Sequence, residues 1–252
     1  MLFRSDNDNK LKKNYEAFQN MDGRFHIFEH RIPVDEQLGY FSYSAKMRKK
    51  NKVIDDSVCD LFEVGLESEG VLIDDKRDIL TYLASSKHVR AYRLLENYSL
   101  NPDKELANWA YMALMESRIT LENELSGEKQ IFITSGLGGK GENIRFYALV
   151  ISSGGQTFAD YQRDVIEKEF RYAMQSNDCE IERLTICDKS AEIVFLVPFR
   201  SDIKKFFDGI IRGCNLYGNF LSEICTITNV KELTKEEVDK VVEKYGNIQA
   251  GS

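Results

Sequence analysis

Residues 129–153 constrain the fold most strongly, because two apolar runs flank a loop with four glycines in six positions. The runs, at 131–133 and 144–151, are rich in β-branched and aromatic residues. Short runs of this composition, bounded by glycine, are typical of β-strands. We therefore predict a β-hairpin that begins the C-terminal half of the chain.

The chain that follows the loop predicts an alternation of strands and helices. Apolar residues recur at helical spacing from Phe158 to Met174 and again from Ile203 to Cys214. Between and around these helices lie short apolar runs that end at polar or glycine-containing turns. From residue 145 onward the predicted order is strand, helix, strand, strand, helix, strand.

This order resembles the βαββαβ arrangement of the ferredoxin-like superfold. The resemblance implies an antiparallel sheet with both helices on one face, because the crossover connections are right-handed. The strand at residues 129–134 is then expected to be an addition beside the first strand of the unit. Thr234 and Glu237 form a capping-box pattern, which predicts a further helix at the C-terminus.

The N-terminal half favours helices. Residues 74–125 predict three successive helices, and Asn101 followed by Pro102 has the pattern of a helix start. The rhythm of these segments resembles HEAT-type helical repeats, which implies a mode of packing. For residues 22–45 we predict extended or irregular structure, and residues 46–72 fit either a helix or a strand.

Together these patterns predict the α+β class and two domains. Residues 1–127 are expected to form a mainly helical domain, with a HEAT-like hairpin region and an irregular, aromatic start. Residues 128–252 are expected to form a ferredoxin-like domain with an added N-terminal strand and a C-terminal helix.

The charge distribution argues against extensive contact with nucleic acid. The net charge is −7, and residues 1–128 and 129–252 carry −5 and −2. A basic cluster does occur within residues 46–52, and we interpret it as a solvated linker or helix end. Single arginines on the C-terminal strands and helices are interpreted as solvated in the same way. The residues concerned are Lys46, Arg48, Lys49, Lys50, Lys52, Arg145, Arg163, Arg171, Arg183 and Arg212.

The chain contains no apolar run of about 18 residues, so no membrane span is predicted. The N-terminus lacks the apolar core of a secretory signal, and we expect a cytoplasmic protein. The five cysteines are unevenly spaced, and no C-x-x-C pair occurs among them. Buried, reduced thiols are the expected state.

The glycine loop is the first candidate ligand site. A nest of backbone N–H groups can hold a phosphate, and Lys140 could add a positive charge. However, a P-loop requires a helix directly after its lysine, and here Gly141 and a strand follow. The alternative is a bulged hairpin connection whose glycines supply positive φ angles. The tentative ligand-binding residues are Ser135, Gly136, Gly138, Gly139, Lys140 and Gly141.

His26, Glu29 and His30 match the H-x-x-E-H pattern of inverted zinc proteases. That chemistry needs the two histidines one helical turn apart, with the glutamate as base. Pro33 lies close behind, and no helical stripe surrounds the motif. We therefore predict no metal site, and these three residues form the alternative.

No set of catalytic residues can be assembled from the sequence, which favours a non-enzymatic interaction protein. Such a protein would bind another protein or itself, without a cofactor. The alternative is a site for an anion or a phosphorylated small molecule, possibly enzymatic, at glycine-loop residues 136–141. A further hypothesis is RNA binding on the open sheet face, although the acidic composition makes nucleic acid an unlikely partner.

Overall fold

The computed structural model describes residues 22–50 and 54–246, and it confirms the predicted α+β class. The chain divides into two compact units. Among the described residues, the C-terminal unit contains 22, 27–31 and 133–246. The helical unit contains 23–26, 32–50 and 54–132.

Eight α-helices lie within the described residues, five of them in the helical unit and three in the C-terminal unit. Short 3₁₀ turns occur at Lys104–Leu106 and at Ser153–Gly155. The helices are α1 Val34–Arg48, α2 Asp56–Glu67, α3 Ile73–Ser85, α4 Val89–Leu100, α5 Ala107–Ser126, α6 Asp160–Ser176, α7 Ile203–Asn215 and α8 Lys235–Gly246.

The three helices predicted within residues 74–125 are confirmed as α3, α4 and α5. The HEAT-type resemblance stays a prediction. Within residues 46–72, for which helix and strand were both open, Asp56–Glu67 forms helix α2, whose first turn is capped by Asp55. There the Asp55 carboxylate accepts a hydrogen bond from the Val58 N–H at 2.9 Å.

Helix α1 corrects the prediction of extended or irregular structure for residues 22–45. Its buried residues are Gln37, Tyr40, Ser44 and Met47, which recur at helical spacing. Only one of the four is a simple apolar residue, so the stripe does not register as a hydrophobic period. The prediction is confirmed for residues 22–33, which form β1 and a non-helical segment, and it is wrong for residues 34–45, because the buried side of α1 is largely polar.

Glu116 of α5 explains why Tyr40 and Ser44 of α1 are buried. Its carboxylate accepts hydrogen bonds from the Tyr40 hydroxyl at 2.6 Å, the Ser44 hydroxyl at 2.7 Å and the Arg48 guanidinium at 2.5 Å. Three residues on one side of α1 therefore satisfy one buried carboxylate, as a buried charge requires. Burial, reinforced by the neighbouring Glu116 charge, raises the pKa of Tyr40 well above its ordinary value.

Seven strands form two sheets among the described residues. The larger sheet has the order β5–β6–β4–β7, with β3 paired to the start of β4, and all of its pairings are antiparallel. This is the strand order that the ferredoxin-like resemblance implies. The strands are β1 Arg24–Ile27, β2 Gln130–Ile133, β3 Gly139–Lys140, β4 Asn143–Ser152, β5 Glu180–Ile186, β6 Ser190–Pro198 and β7 Leu221–Thr228.

The predicted hairpin, in which the two strands on either side of the glycine loop pair with each other, is wrong. Strand β2 pairs with β1 in a separate two-stranded sheet, instead of lying beside β4. Only the short β3, inside the glycine loop itself, returns against β4. Both runs were correctly predicted as strands, but strand composition does not reveal the partner, and β1 lies about a hundred residues earlier in the chain.

Helices α6 and α7 cover one face of the larger sheet, as predicted. Four phenylalanine rings connect the layers: Phe146 of β4 contacts Phe195 of β6, which contacts Phe207 of α7, which contacts Phe170 of α6. The centroid distances lie between 5.3 and 6.0 Å. Burial of these rings stabilises the packing of the helices on the sheet.

The opposite surface of the larger sheet, which we name the sheet face, carries α8. The predicted capping box is present, since the Glu237 N–H donates to the Thr234 hydroxyl and the Thr234 N–H donates to the Glu237 carboxylate. Val238 packs against Tyr147 and Val194 of the sheet. None of the helices in the described part of the chain is long and apolar enough to cross a membrane.

Replacing Phe207 with Ala should lower the free energy of unfolding by about 3–5 kcal/mol, because a fully buried ring is lost between two layers. Phe206→Ala is the matched control, since Phe206 is the adjacent residue on α7 and is partly exposed. Chemical denaturation of both variants checks this expectation. Equal losses of stability would show that α7 does not pack on the sheet as described.

Candidate functional site

The sheet face is apolar beneath α8 and charged along β5. Tyr147, Leu149, Ile151 and Val194 form the apolar part, which α8 covers. Strand β5 is the edge strand and has exposed side chains along most of its length. The strand pairing places Arg183 opposite Val194, and therefore on the same face as α8.

Two arginines from distant segments share one carboxylate in the loop that precedes α8. The Glu232 side chain accepts hydrogen bonds from Arg31, at 2.7 Å, and from Arg183. The arginine side chains are about half exposed, at 51% and 49%, whereas that of Glu232 is 23% exposed. Burial raises the pKa of Glu232, but the hydrogen bonds from Arg183 and Arg31 outweigh it and leave the pKa below its ordinary value.

Arg145 forms the other strong ion pair of this surface. Its Nε and Nη2 atoms bind the two oxygens of Glu182 at 2.5 and 2.8 Å, and its Nη1 donates to the Leu137 carbonyl at 2.8 Å. The arginine side chain is only 12% exposed, so the sequence-based interpretation of Arg145 as solvated was wrong. The hydrogen bond from Arg145 lowers the pKa of Glu182.

A β-bulge places Glu182 within reach of Arg145. Ile181 pairs with Phe195 and Arg183 pairs with Val194, so Glu182 is an extra residue between two consecutive partners. A bulge of this kind redirects a side chain without changing the alternation on either side of it. We name Arg31, Arg145, Arg183, Glu182 and Glu232 the charged end of the sheet face.

Glu192 lies on the sheet face, paired with Leu149 of β4 and Thr185 of β5. It accepts a 2.8 Å hydrogen bond from the buried Tyr147 hydroxyl, while its own side chain stays partly exposed. Burial and the bond to Glu192 raise the pKa of Tyr147, so the phenol remains protonated and acts as a donor.

The glycine loop is packed against other parts of the C-terminal unit. A Cβ atom on Gly136 would lie 1.9 Å from the Val230 carbonyl, and one on Gly138 would lie 2.3 Å from the Glu29 carbonyl. The Ser135 hydroxyl donates to the Gly138 carbonyl at 3.0 Å. These contacts explain the glycines by close backbone approach.

The polar groups at the tip of the loop contact carboxylates. The Gly141 N–H donates to Glu29 at 3.0 Å, and the Lys140 amine lies 3.2 Å from Glu180. An anion at this position would have to compete with both carboxylates. A ligand-binding role for the six loop residues stays a prediction.

The H-x-x-E-H pattern does not lie on a helix. His26 belongs to strand β1, and Glu29 and His30 follow in a non-helical segment. The Nε2 atom of His26 lies 2.7 Å from the Gln130 side-chain oxygen and 3.1 Å from a Glu122 oxygen. Within residues 22–50 and 54–246, no group of three His, Cys, Asp or Glu side chains is arranged to hold a metal ion.

Sequence reasoning missed the residues that meet on the sheet face. Arg31, Glu182 and Glu232 belong to no recognisable motif, and their meeting depends on the strand order and on the bulge. The available signal was the alternation of charged and apolar residues along β5. Its sequence contrasts with those of β4 and β6, which are strongly apolar. That pattern is typical of an exposed edge strand.

No family model matches the chain, and no curated protein matches it significantly. Solved structures do match. A crystal structure assigned as a transposase of Deinococcus radiodurans R1 is 14% identical and covers 44% of this chain and 96% of its own, with a TM-score of 0.37. A REP-associated tyrosine transposase bound to a REP hairpin is 11% identical and covers 44% and 72%, with a TM-score of 0.31.

These matches contradict two predictions made from the sequence. Both structures are transposases, and one holds a REP hairpin, whereas we predicted a non-enzymatic interaction protein with nucleic acid as an unlikely partner. Those two predictions are wrong. At these TM-scores the likeness assigns no role to any individual residue of this chain.

Gly136→Ala should lower the free energy of unfolding by about 3 kcal/mol or more, because the new methyl group would overlap the Val230 backbone. Gly141→Ala is the matched comparison. It meets open space but has φ of +59°, so about 1–2 kcal/mol is expected from backbone strain alone. Denaturation curves give both values, and a Gly136 variant as stable as the Gly141 variant would contradict the described loop packing.

The Arg145–Glu182 pair should give the C-terminal unit a pH-dependent stability. Since the pKa of Glu182 is lowered on folding, the pair stabilises the fold above about pH 4.3 and this contribution disappears as the pH falls through the folded-state pKa. Glu182→Gln should therefore destabilise the protein most near neutral pH and least in strong acid. Urea unfolding across this pH range measures the difference.

Glu243→Gln on the exposed side of α8 serves as the control, and its effect should vary much less with pH. A Glu182→Gln penalty that stays constant down to strong acid would contradict the assignment of an ion pair.

Proposed function

We propose that the C-terminal unit binds a DNA strand at the charged end of the sheet face. The observation that carries the proposal is the pair of half-exposed arginines, Arg31 and Arg183, that meet on Glu232. Folding brings them together from positions about 150 residues apart in the chain. Their guanidinium groups are held in place beside an exposed edge strand.

Guanidinium groups suit phosphate because they present parallel N–H donors to two oxygens at once. A phosphodiester group offers the same two-oxygen geometry and the same single negative charge as the Glu232 carboxylate. It can therefore replace Glu232 as the partner of Arg31 and Arg183. The glutamate keeps both arginines oriented when no ligand is bound, which reduces the entropy cost of binding.

The remaining basic groups divide into two kinds by exposure. Lys140 is 63% exposed and lies beside Glu180, which is the first residue of β5. Lys140 can therefore extend the contact along this strand from Arg183. Arg145 is 12% exposed and fully engaged by Glu182 and Leu137. We assign Arg145 to holding the surface together and Arg31, Arg183 and Lys140 to the phosphates.

The charge balance limits the strength of this interaction. Each basic group of the charged end has a carboxylate beside it, and the whole chain carries −7. Non-specific affinities of roughly 10⁻⁴–10⁻⁶ M at physiological salt are typical of proteins that contact DNA through phosphates. We expect an affinity at the weak end of that range, with a shallow dependence on salt.

The test measures binding of a fluorescein-labelled DNA hairpin with a single-stranded tail to the full chain by fluorescence polarisation. The double variant Arg31→Gln, Arg183→Gln should bind roughly tenfold more weakly, because two phosphate contacts are lost. Glu232→Gln should bind severalfold more tightly, because the competing carboxylate is removed while both arginines remain. Opposite effects from neighbouring residues distinguish a binding site from general loss of structure.

Arg171→Gln is the control, since Arg171 forms an exposed ion pair with Glu167 on α6, on the other side of the sheet. Its affinity should equal that of the unmodified protein. Thermal unfolding of every variant excludes effects from misfolding. The proposal is overturned if the unmodified chain binds no DNA, or if the arginine and glutamate variants bind as the unmodified chain does.

A further inference from the structure

A second positively charged surface lies in the helical unit, at the C-terminal end of α1. Lys46, Lys49 and Lys50 are all exposed. Within the described part of the chain, none of these three lysines forms an ion pair with a carboxylate. Their spacing of three and four residues places them on one side of the helix end, which we name the basic end of α1.

The sequence concentrates positive charge here without compensation. No aspartate or glutamate occurs from Leu38 to Ile54, and this stretch contains five basic residues in a chain whose net charge is −7. Lys52, the last of the five, lies outside the described residues. Arg48 is bound by the buried carboxylate of Glu116, so the lysines are the groups left for an external partner.

The helix dipole gives this cluster only a modest stabilisation. Cations near a helix C-terminus gain about 0.3–1 kcal/mol each from the helix dipole. Like charges three or four residues apart repel one another by about 0.2–0.5 kcal/mol per pair, which offsets much of that gain. Since the net stabilisation is small, the three exposed lysines remain available to an anionic partner.

The surroundings indicate which anionic partner fits. The exposed residues in the last turns of α1 are Ser42, Ala45 and the basic residues, whereas Met47 is buried. The surface therefore lacks the large apolar side chains that anchor a protein interface or insert into a membrane. Closely spaced cations without apolar anchors fit a chain of phosphates.

We infer that the basic end of α1 contacts DNA phosphates and gives the helical unit its own part in DNA binding. This inference rests on the proposed function, but it concerns different residues in a different unit. The ion pair between Arg48 and the buried Glu116 connects the last turn of α1, beside which the lysines lie, to α5. Because the contacts are made to phosphates, they are expected to add affinity and not sequence preference.

The experiment uses the full chain and the same labelled DNA hairpin, at several salt concentrations. The triple variant Lys46→Gln, Lys49→Gln, Lys50→Gln should bind roughly tenfold or more weakly. The slope of log affinity against log salt should become shallower by about 2–3, since up to three phosphate contacts are lost. A second triple variant that replaces the same lysines with Arg should bind as the unmodified chain does.

The control removes three other exposed lysines, Lys104, Lys129 and Lys168, as glutamines, and it should leave the salt slope unchanged. Circular dichroism melting verifies that each variant is folded.

If the triple glutamine variant binds normally while the Arg31, Arg183 variant is weakened, the inference is overturned and the proposed function stands. If the unmodified chain binds no DNA, both fail together. The inference is also overturned if the three lysines are needed for binding to phosphatidylserine vesicles and not to DNA.

Discussion

The architecture of the C-terminal unit depends on burial of the two central strands, β4 and β6, on both faces. Helices α6 and α7 cover one face through the phenylalanine contacts, and α8 covers the other through its valines. A strand covered on both sides can be apolar at every position, which is why residues 144–151 form a nearly continuous apolar run. Four of the five residues of the charged end consequently lie on the edge strand β5 or in loops, and the fifth, Arg145, lies near the start of β4.

Elements of the C-terminal unit were predictable where local pattern and tertiary contact agree. The periods that indicated α6 and α7 are produced by the residues that pack on the sheet, such as Phe170 and Phe207. The partner of β2 was not predictable, because its composition is compatible with β4 and with β1 alike. The pairing of a strand depends on the path of the whole chain, and the residues of one short segment do not determine that path.

The candidate site was less predictable for a related reason. Arg31, Arg183 and Glu232 are ordinary surface residues when each is considered in its own segment, and only the strand order brings them together. In the helical unit, α1 shows no clear hydrophobic period, because Tyr40 and Ser44 face inward to donate hydrogen bonds to the buried carboxylate of Glu116. In both units, polar contacts between distant segments carry information that hydrophobic periodicity cannot show.

The bulge in β5 has a consequence for how the length of this strand can change. Since Glu182 is the residue without a partner on β6, its deletion would join Ile181 directly to Arg183 and restore regular pairing. Deletion of a regularly paired residue in the middle of β5 would instead move the side chains on one side of the deletion to the opposite face of the sheet. Arg183 or Thr185 would then face the helices. Position 182 is thus where natural variation could shorten β5 by one residue while leaving the outward-facing arginine in place.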